Sequence, residues 1–344
     1  MASPLQRLCF LNGLTSVLAF WVLVNDTGPE RSGHVAAWDA GGQQFLIHGG
    51  SDTEFRPDLW AYDAETGTWD LAPQLNSAAL KRGEHVAVWD PRELALWIHG
   101  GFDGVTLFND VWRYSDNRWI HFAGGPGEAP TARSSHVAVW DTAQSAMWLH
   151  GGLGGDLQDD LWKFSYRSLS SSSWVQIHPI DNRLPSARAH HAAAWDEINS
   201  AMWVHGGYDS QGLSNELWAF DTKASTWSLV SQSGPGLRAY HVAAWDHTNQ
   251  AIWLHGGLGG LNGLAQRELW RFNILSHSWD LIANQIQDGP VARYYHAAAW
   301  DVTSASLWIH GTCFQAEAVG VWSFKVGYSE ATAHETYPNV TQPA

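Results

Sequence analysis

The sequence predicts an all-β chain built as a ring of small antiparallel sheets. Three observations carry that prediction. One template recurs six times, every copy holds short apolar runs bounded by turn residues, and the last copy lacks its fourth run while a spare run stands near the N-terminus. The template reads Arg-x-x-His-[Val/Ala]-Ala-[Ala/Val]-Trp-Asp, then an apolar run ending in His-Gly-Gly, then [Leu/Val]-Trp-x-[Tyr/Phe], then a final Trp. All 23 tryptophans fall on it.

The first run (A) follows Arg31, Arg82, Arg133, Arg188, Arg238 and Arg293, and the second (B) closes on His48, His99, His150, His205, His255 and His310. The third (C) carries Trp60, Trp112, Trp162, Trp218, Trp270 and Trp322, and the fourth (D) carries Trp69, Trp119, Trp174, Trp227 and Trp279. In the second copy these runs are His85–Trp89, Leu94–His99, Val111–Tyr114 and Trp119–Phe122. Runs of that length, rich in Trp, Val, Ile and Leu, are strands, and no sustained helical period competes. Connections such as Asp141–Ser145 suit hairpins, so each copy predicts a four-stranded meander.

Both faces of run A are apolar, with Ala87 and Trp89 on one side and Val86 and Val88 on the other. A sheet of that kind must be covered twice, which radial stacking into a β-propeller achieves. Run A holds Ala at its centre in every copy (Ala36, Ala87, Ala138, Ala193, Ala243, Ala298), as the crowded innermost strand requires. The sixth copy has no D-run Trp after Phe324, whereas Trp21–Pro29 matches Trp227–Pro235. The expectation is therefore six blades, with an N-terminal strand completing the last. The predicted units are an N-terminal extension over 1–19, the propeller over 20–326 and a polar, disordered tail over 327–344.

These residues resemble kelch repeats over about nine-tenths of the chain. The likeness rests on the double glycines (Gly49-Gly50, Gly100-Gly101, Gly151-Gly152, Gly206-Gly207, Gly256-Gly257), the aromatic of run C, the Trp of run D and the Pro130-Thr-Ala-Arg133-Ser-Ser-His136 lead-in, which is similar to stand-alone kelch proteins. Gly311-Thr312 departs from the pattern, as does the extra Trp of runs A and B. The resemblance implies a six-bladed kelch-type propeller and says little about activity. The Trp-Asp pairs do not make tryptophan–aspartate repeats. Those recur every ~40–45 residues, whereas the run-B histidines here are 51, 51, 55, 50 and 55 residues apart. The aspartates Asp39, Asp90, Asp141, Asp196, Asp246 and Asp301 suit capping of the A–B turns.

With 19 Lys+Arg against 34 Asp+Glu, the net charge of −15 disfavours nucleic acid and anionic membranes as partners. Two cysteines, Cys9 and Cys313, make neither a disulfide framework nor a thiolate zinc site. Twelve of the 18 histidines are template positions, and six-fold repetition points to structural hydrogen bonding instead of a metal, which needs its ligands converged. No nucleophile elbow, His-Glu-x-x-His or phosphate loop is present, so no catalytic residue, cofactor or metal is assigned.

The antiparallel order puts all six arginines on one rim with the D–A and B–C loops. They have two readings. Each can pair with the acid opening run C (Asp58, Asp110, Asp160, Glu216 or Glu268), or the set can present positive charge to an acidic peptide, as the resemblance to acidic-peptide-binding kelch propellers implies. Gly320 stands in the last copy where that acid is expected. Phe55, Phe102, Tyr208, Tyr240, Tyr294 and Phe314 join the arginines as candidate partner contacts, because loops on rigid frames carry specificity. Tyr295 also stands beside a rim arginine.

Arg7, the apolar stretch Leu8–Ala19 and the sequons at Asn25 and Asn339 have the layout of a secreted chain. Asn12-Gly13 and Thr15-Ser16 interrupt that stretch, which favours the cytoplasm. The expected function is a non-enzymatic, monomeric protein- or peptide-binding scaffold; the alternative is an enzyme or small-molecule binder at the channel mouth.

Overall fold

The computed structural model describes residues 17–75, 81–122, 129–168, 171–181, 183–260, 263–283, 289–311 and 320–328. Among these residues there is no helix, and the strands form six four-stranded antiparallel sheets plus small loop ribbons. The first sheet comprises Val35–Asp39, Gln44–His48, Leu59–Asp63 and Thr68–Leu71, paired in chain order. The second comprises Val86–Asp90, Ala95–His99, Val111–Ser115 and Arg118–Phe122. The third comprises Val137–Asp141, Ala146–Gly154, Asp156–Tyr166 and Ser172–Ile177. The fourth comprises Ala192–Asp196, Ala201–His205, Leu217–Asp221 and Thr226–Ser231. The fifth comprises Val242–Asp246, Ala251–His255, Leu269–Asn273 and Ser278–Ala283.

The sixth sheet joins the two ends of the chain. Ala297–Asp301, Ser306–His310 and Val321–Tyr328 are followed in space by Val17–Asn25 from the N-terminus. The register pairs Val17 with Tyr328 and Trp21 with Phe324. Trp21 sits where the other sheets carry their own fourth-strand Trp. Its ring lies 5.2 Å from Phe324 and 5.1 Å from His255 of the fifth sheet. Trp227 makes the same two contacts, with Phe220 at 5.2 Å and His150 at 5.1 Å. This strand starts at Val17, inside the span read from sequence as an extension.

First strands of consecutive sheets adjoin one another, and the sixth adjoins the first. Their alanines Ala36, Ala87, Ala138, Ala193, Ala243 and Ala298 line the central opening. Tryptophans fill the wedges between sheets. The second-strand indole of one sheet stacks on the first-strand indole of the next, as Trp97 does on Trp140 (5.8 Å, 15°), Trp253 on Trp300 (6.2 Å, 16°) and Trp308 on Trp38 (5.2 Å, 29°). Each stacked pair adds roughly 0.5–1.5 kcal/mol beyond the area it buries. The Trp-Asp aspartates cap the hairpins between first and second strands: Asp39 accepts Gly41 N–H at 2.9 Å and Asp301 accepts Thr303 N–H at 2.8 Å.

Trp21→Ala should destabilise the chain by about 3–5 kcal/mol, as loss of a buried Trp does. Trp227→Ala should cost the same, both read by denaturant unfolding. A Trp21 variant as stable as the parent would show that the N-terminal strand does not close the sixth sheet.

Candidate functional site

The rim that carries the arginines is held by a motif repeated sheet by sheet. In the second sheet, the Arg82 guanidinium grips both oxygens of Asp110 at 2.7 and 2.9 Å and donates to Gly100 O at 2.8 Å. The indole N–H of Trp112, two residues after the acid, donates to the same carboxylate at 2.6 Å. Arg133–Asp160–Trp162, Arg188–Glu216–Trp218, Arg238–Glu268–Trp270 and Arg31–Asp58–Trp60 repeat the arrangement. The third-strand Trp is thus a donor to the acid as well as an apolar filler. Burial pulls the Asp110 and Asp160 carboxyls up, but the arginines outweigh it and hold both below the usual carboxylate range.

The double glycine is where neighbouring sheets touch. A Cβ on Gly100 would lie 2.7 Å from the Arg133 carbonyl and 2.8 Å from the His136 ring, and one on Gly101 would lie 2.7 Å from His85 Cβ. Both glycines also take positive φ, 67° and 98°. The approach lets Gly101 N–H donate to Arg133 O at 2.8 Å, and the same bond joins Gly50 to Arg82, Gly152 to Arg188, Gly207 to Arg238 and Gly257 to Arg293.

Two further rings close around the axis. Each second-strand histidine bonds the first-strand histidine of the next sheet: His48–His85 (2.9 Å), His99–His136 (3.0 Å), His150–His191 (3.2 Å), His205–His241 (2.9 Å), His255–His296 (3.0 Å) and His310–His34 (3.1 Å). Burial lowers every one of these histidines, several to about 3, so the pairs are neutral and each bond has one donor and one acceptor nitrogen. The template histidines thus meet two by two. Above them runs a circle of backbone bonds: Glu84 N–H to Gly33 O, Ser135 to Glu84, His190 to Ser135, Tyr240 to His190, Tyr295 to Tyr240 and Gly33 to Tyr295, at 2.8–3.2 Å.

Those six residues, each immediately before a first-strand histidine, form the mouth of the central opening. All six have φ between 53° and 64°, a conformation that costs a non-glycine residue on the order of 1 kcal/mol. The backbone circle imposes it; the side chains it carries differ. Gly33, Glu84 and Ser135 give a polar half, where Ser135 Oγ donates to Glu84 Oε2 at 2.6 Å. His190, Tyr240 and Tyr295 give an aromatic half. The His190 ring lies 4.0 Å from Tyr240 and 5.6 Å from both Tyr208 and Tyr295, and Tyr240 lies 4.5 Å from Tyr295. Tyr294 borders the group, 5.7 Å from Tyr295. Burial holds His190 near pKa 3, hence neutral, and raises the Tyr240 and Tyr295 hydroxyls, hence protonated.

The structure divides the residues singled out in the sequence into three sets. The arginines Arg31, Arg82, Arg133, Arg188, Arg238 and Arg293 are buried, at 8% exposure or less, and their guanidiniums point into the sheets. Arg293 donates to Gly311 O at 2.9 Å and to Val291 O at 3.2 Å, in the sheet where Gly320 replaces the acid. Phe55 and Phe102 meet edge to face at 5.9 Å and tie two neighbouring loops together. Tyr208, Tyr240 and Tyr294 converge on the mouth. Phe314 lies outside the described residues. Glu84, Ser135, His190 and Tyr295 complete the site. The signal for them was the second x of Arg-x-x-His, which reads Gly, Glu, Ser, His, Tyr, Tyr in an otherwise fixed motif.

A family model described as the Attractin/LZTR1 beta-propeller matches residues 96–313. The chain belongs to that family. Mei4-dependent protein 6 of Schizosaccharomyces pombe is 31% identical over 169 residues, covering 44% of this chain and 23% of the relative. Leucine-zipper-like transcriptional regulator 1 of Pongo abelii is 24% identical over 307 residues, covering 85% and 35%. Multiple epidermal growth factor-like domains protein 8 of Mus musculus is 30% identical over 247 residues, covering 67% and 8%. The chain therefore spans between 8% and 35% of the length of these relatives. The kelch-like propeller expected from the repeat is thus shown.

Asp160→Ala should cost about 3–5 kcal/mol, because it strands the Arg133 guanidinium, which has no solvent exposure, inside the protein. A loss under about 1 kcal/mol in denaturant unfolding would remove the arginines from the frame. The histidine pairs set a pH dependence. Folded, they stay neutral well below the ordinary value, several of them to about pH 3, whereas unfolded they protonate near about 6.5. The unfolded state binds more protons below that value, so stability is complete above it and falls by up to about 1.4 kcal/mol per pH unit for each histidine as pH drops. Melting temperature should decline steadily from pH 7 to 4.5, above the range of the carboxylates. A flat profile there would overturn the neutral-pair assignment.

Proposed function

We propose that the chain is a six-bladed kelch-type propeller acting as a non-enzymatic protein- or peptide-binding scaffold, with the partner held on the rim of D–A and B–C loops around the channel mouth. The observation that carries this reading is the partly buried aromatic group His190, Tyr208, Tyr240, Tyr294 and Tyr295. His190, Tyr240 and Tyr295 of this group stand on strained backbone positions that the frame fixes, yet the frame does not require aromatic side chains, since Gly33 fills the same position in the first sheet. Clustered tyrosines on a rigid support have the composition of an interface hot spot. Family membership and the six sheets support the propeller part of the reading. Within this reading the six arginines are braces, and the contact residues are the mouth aromatics.

A small-molecule site at the same mouth is the second reading: a cavity of about 150 Å³ lies there between Glu84 and the Tyr240 and Tyr295 rings, small beside ligand pockets of roughly 300–1,000 Å³. Affinity capture with the intact chain and with a His190→Ala/Tyr240→Ala variant tests the first. The variant should lose its protein partners while its melting temperature shifts by no more than about 2–4 °C. Retention of the same partners by a folded variant would overturn the mouth as the docking surface.

A further inference from the structure

We propose that the channel mouth receives a basic side chain of the partner, lysine or arginine, seated over Gly33 with the Glu84 carboxylate on one side and the Tyr295, Tyr240 and His190 rings on the other. This deepens the scaffold reading and rests on it. Gly33 lies between Tyr295 and Glu84 in the backbone circle, bonded to both. A Cβ built on Gly33 would stand 3.7 Å from Glu84 Cγ and 3.9 Å from the Tyr295 ring. The missing side chain therefore leaves a notch with a carboxylate on one wall and a tyrosine on the other.

The electrostatics of the mouth select the sign of the occupant. Its lining residues are the six circle residues and the histidines His34, His85, His136, His191, His241 and His296. Burial keeps these histidines and His190 neutral, and Glu84 supplies the carboxyl group among the lining residues. The six guanidiniums of the rim are turned into the sheets and held on backbone carbonyls or carboxylates. Aromatic faces attract cations through their quadrupoles, at roughly 0.5–2 kcal/mol per ring by degree of desolvation. An anion would meet both the carboxylate and the negative faces of the rings. The net charge of −15 adds attraction for a basic partner at longer range. The acidic partner that a ring of arginines would take does not fit this mouth.

The test is a selection from a random-peptide phage library on the intact chain, followed by affinity measurement of the enriched peptides on five variants, Glu84→Gln, Tyr240→Ala, His190→Ala, Asp70→Asn and Gly33→Leu. Wild type should enrich peptides with a fixed Lys or Arg. Their affinity should fall about tenfold on Glu84→Gln and on Tyr240→Ala. It should stay within about twofold on Asp70→Asn, which removes an equal charge from an exposed outer strand and so controls for general attraction. Gly33→Leu, which fills the notch, should also abolish binding; melting temperature is followed for every variant. Enriched peptides with no basic residue that still need Tyr240 would overturn the cation assignment and leave the scaffold reading standing. Peptides indifferent to Tyr240→Ala and His190→Ala, or no enriched peptides at all, would count against both.

Discussion

The circle of six backbone hydrogen bonds around the channel mouth is the constraint from which the rest of the structure follows. It forces one residue per sheet into positive φ and sets the spacing at which first strands meet. At that spacing the inner strands must carry alanine, and the second strands must end in glycines small enough for the neighbouring Arg carbonyl to approach. Further out the sheets diverge, and indoles fill the widening gap. A residue's size along the template thus follows its distance from the axis: no Cβ at the glycines, alanine beside the opening, tryptophan in the wedges.

The buried arginines and the template histidines each find a polar partner in their own or a neighbouring repeat. In the second to fifth sheets the guanidinium bonds the acid and first glycine of its own sheet, whereas the second-strand histidine and the second glycine bond the next sheet. The template motif Arg-x-x-His therefore ties together three elements: its own second and third strands through the arginine, and the preceding sheet through the histidine. This explains why polar residues recur as faithfully as tryptophan in the repeat. A buried charge or imidazole without its partner would cost several kcal/mol, so each change needs a compensating one nearby.

The architecture was legible in the sequence because each sheet is spelled out by the same run of residues, so strand order, the inner alanines, the Asp-capped turns and the exchange of the missing strand to the N-terminus could all be read there. The site was less so. Arginine is polar and sits in a rim-facing segment, and nothing in a one-dimensional pattern separates a guanidinium turned inward onto Asp110 from one turned to solvent. Conversely, Glu84 and His190 share with Tyr240 and Tyr295 a position that the repeat pattern leaves as x, and only the two tyrosines stood out beside their arginines. Their convergence depends on a closed circle, which brings residues of the second, fourth and sixth sheets across one opening although they lie far apart in the chain. Phe55 and Phe102 failed to separate from the mouth aromatics for a similar reason: loop aromatics packing on each other and loop aromatics facing a partner have the same composition.

The sixth sheet has a mechanical consequence. Its closing strand runs antiparallel to the chain's last strand, with Val17 opposite Tyr328 at one end of the pair and Asn25 opposite Val321 at the other. Tension applied at Val17 and Tyr328 would load the ladder from one end and part its hydrogen bonds one after another, as a zipper opens. Tension along the strands in opposite directions would have to shear all of them together. The latch that makes the ring continuous is therefore directional: it resists sliding between the two end strands and yields to peeling from the side where the two strands' outer ends emerge together.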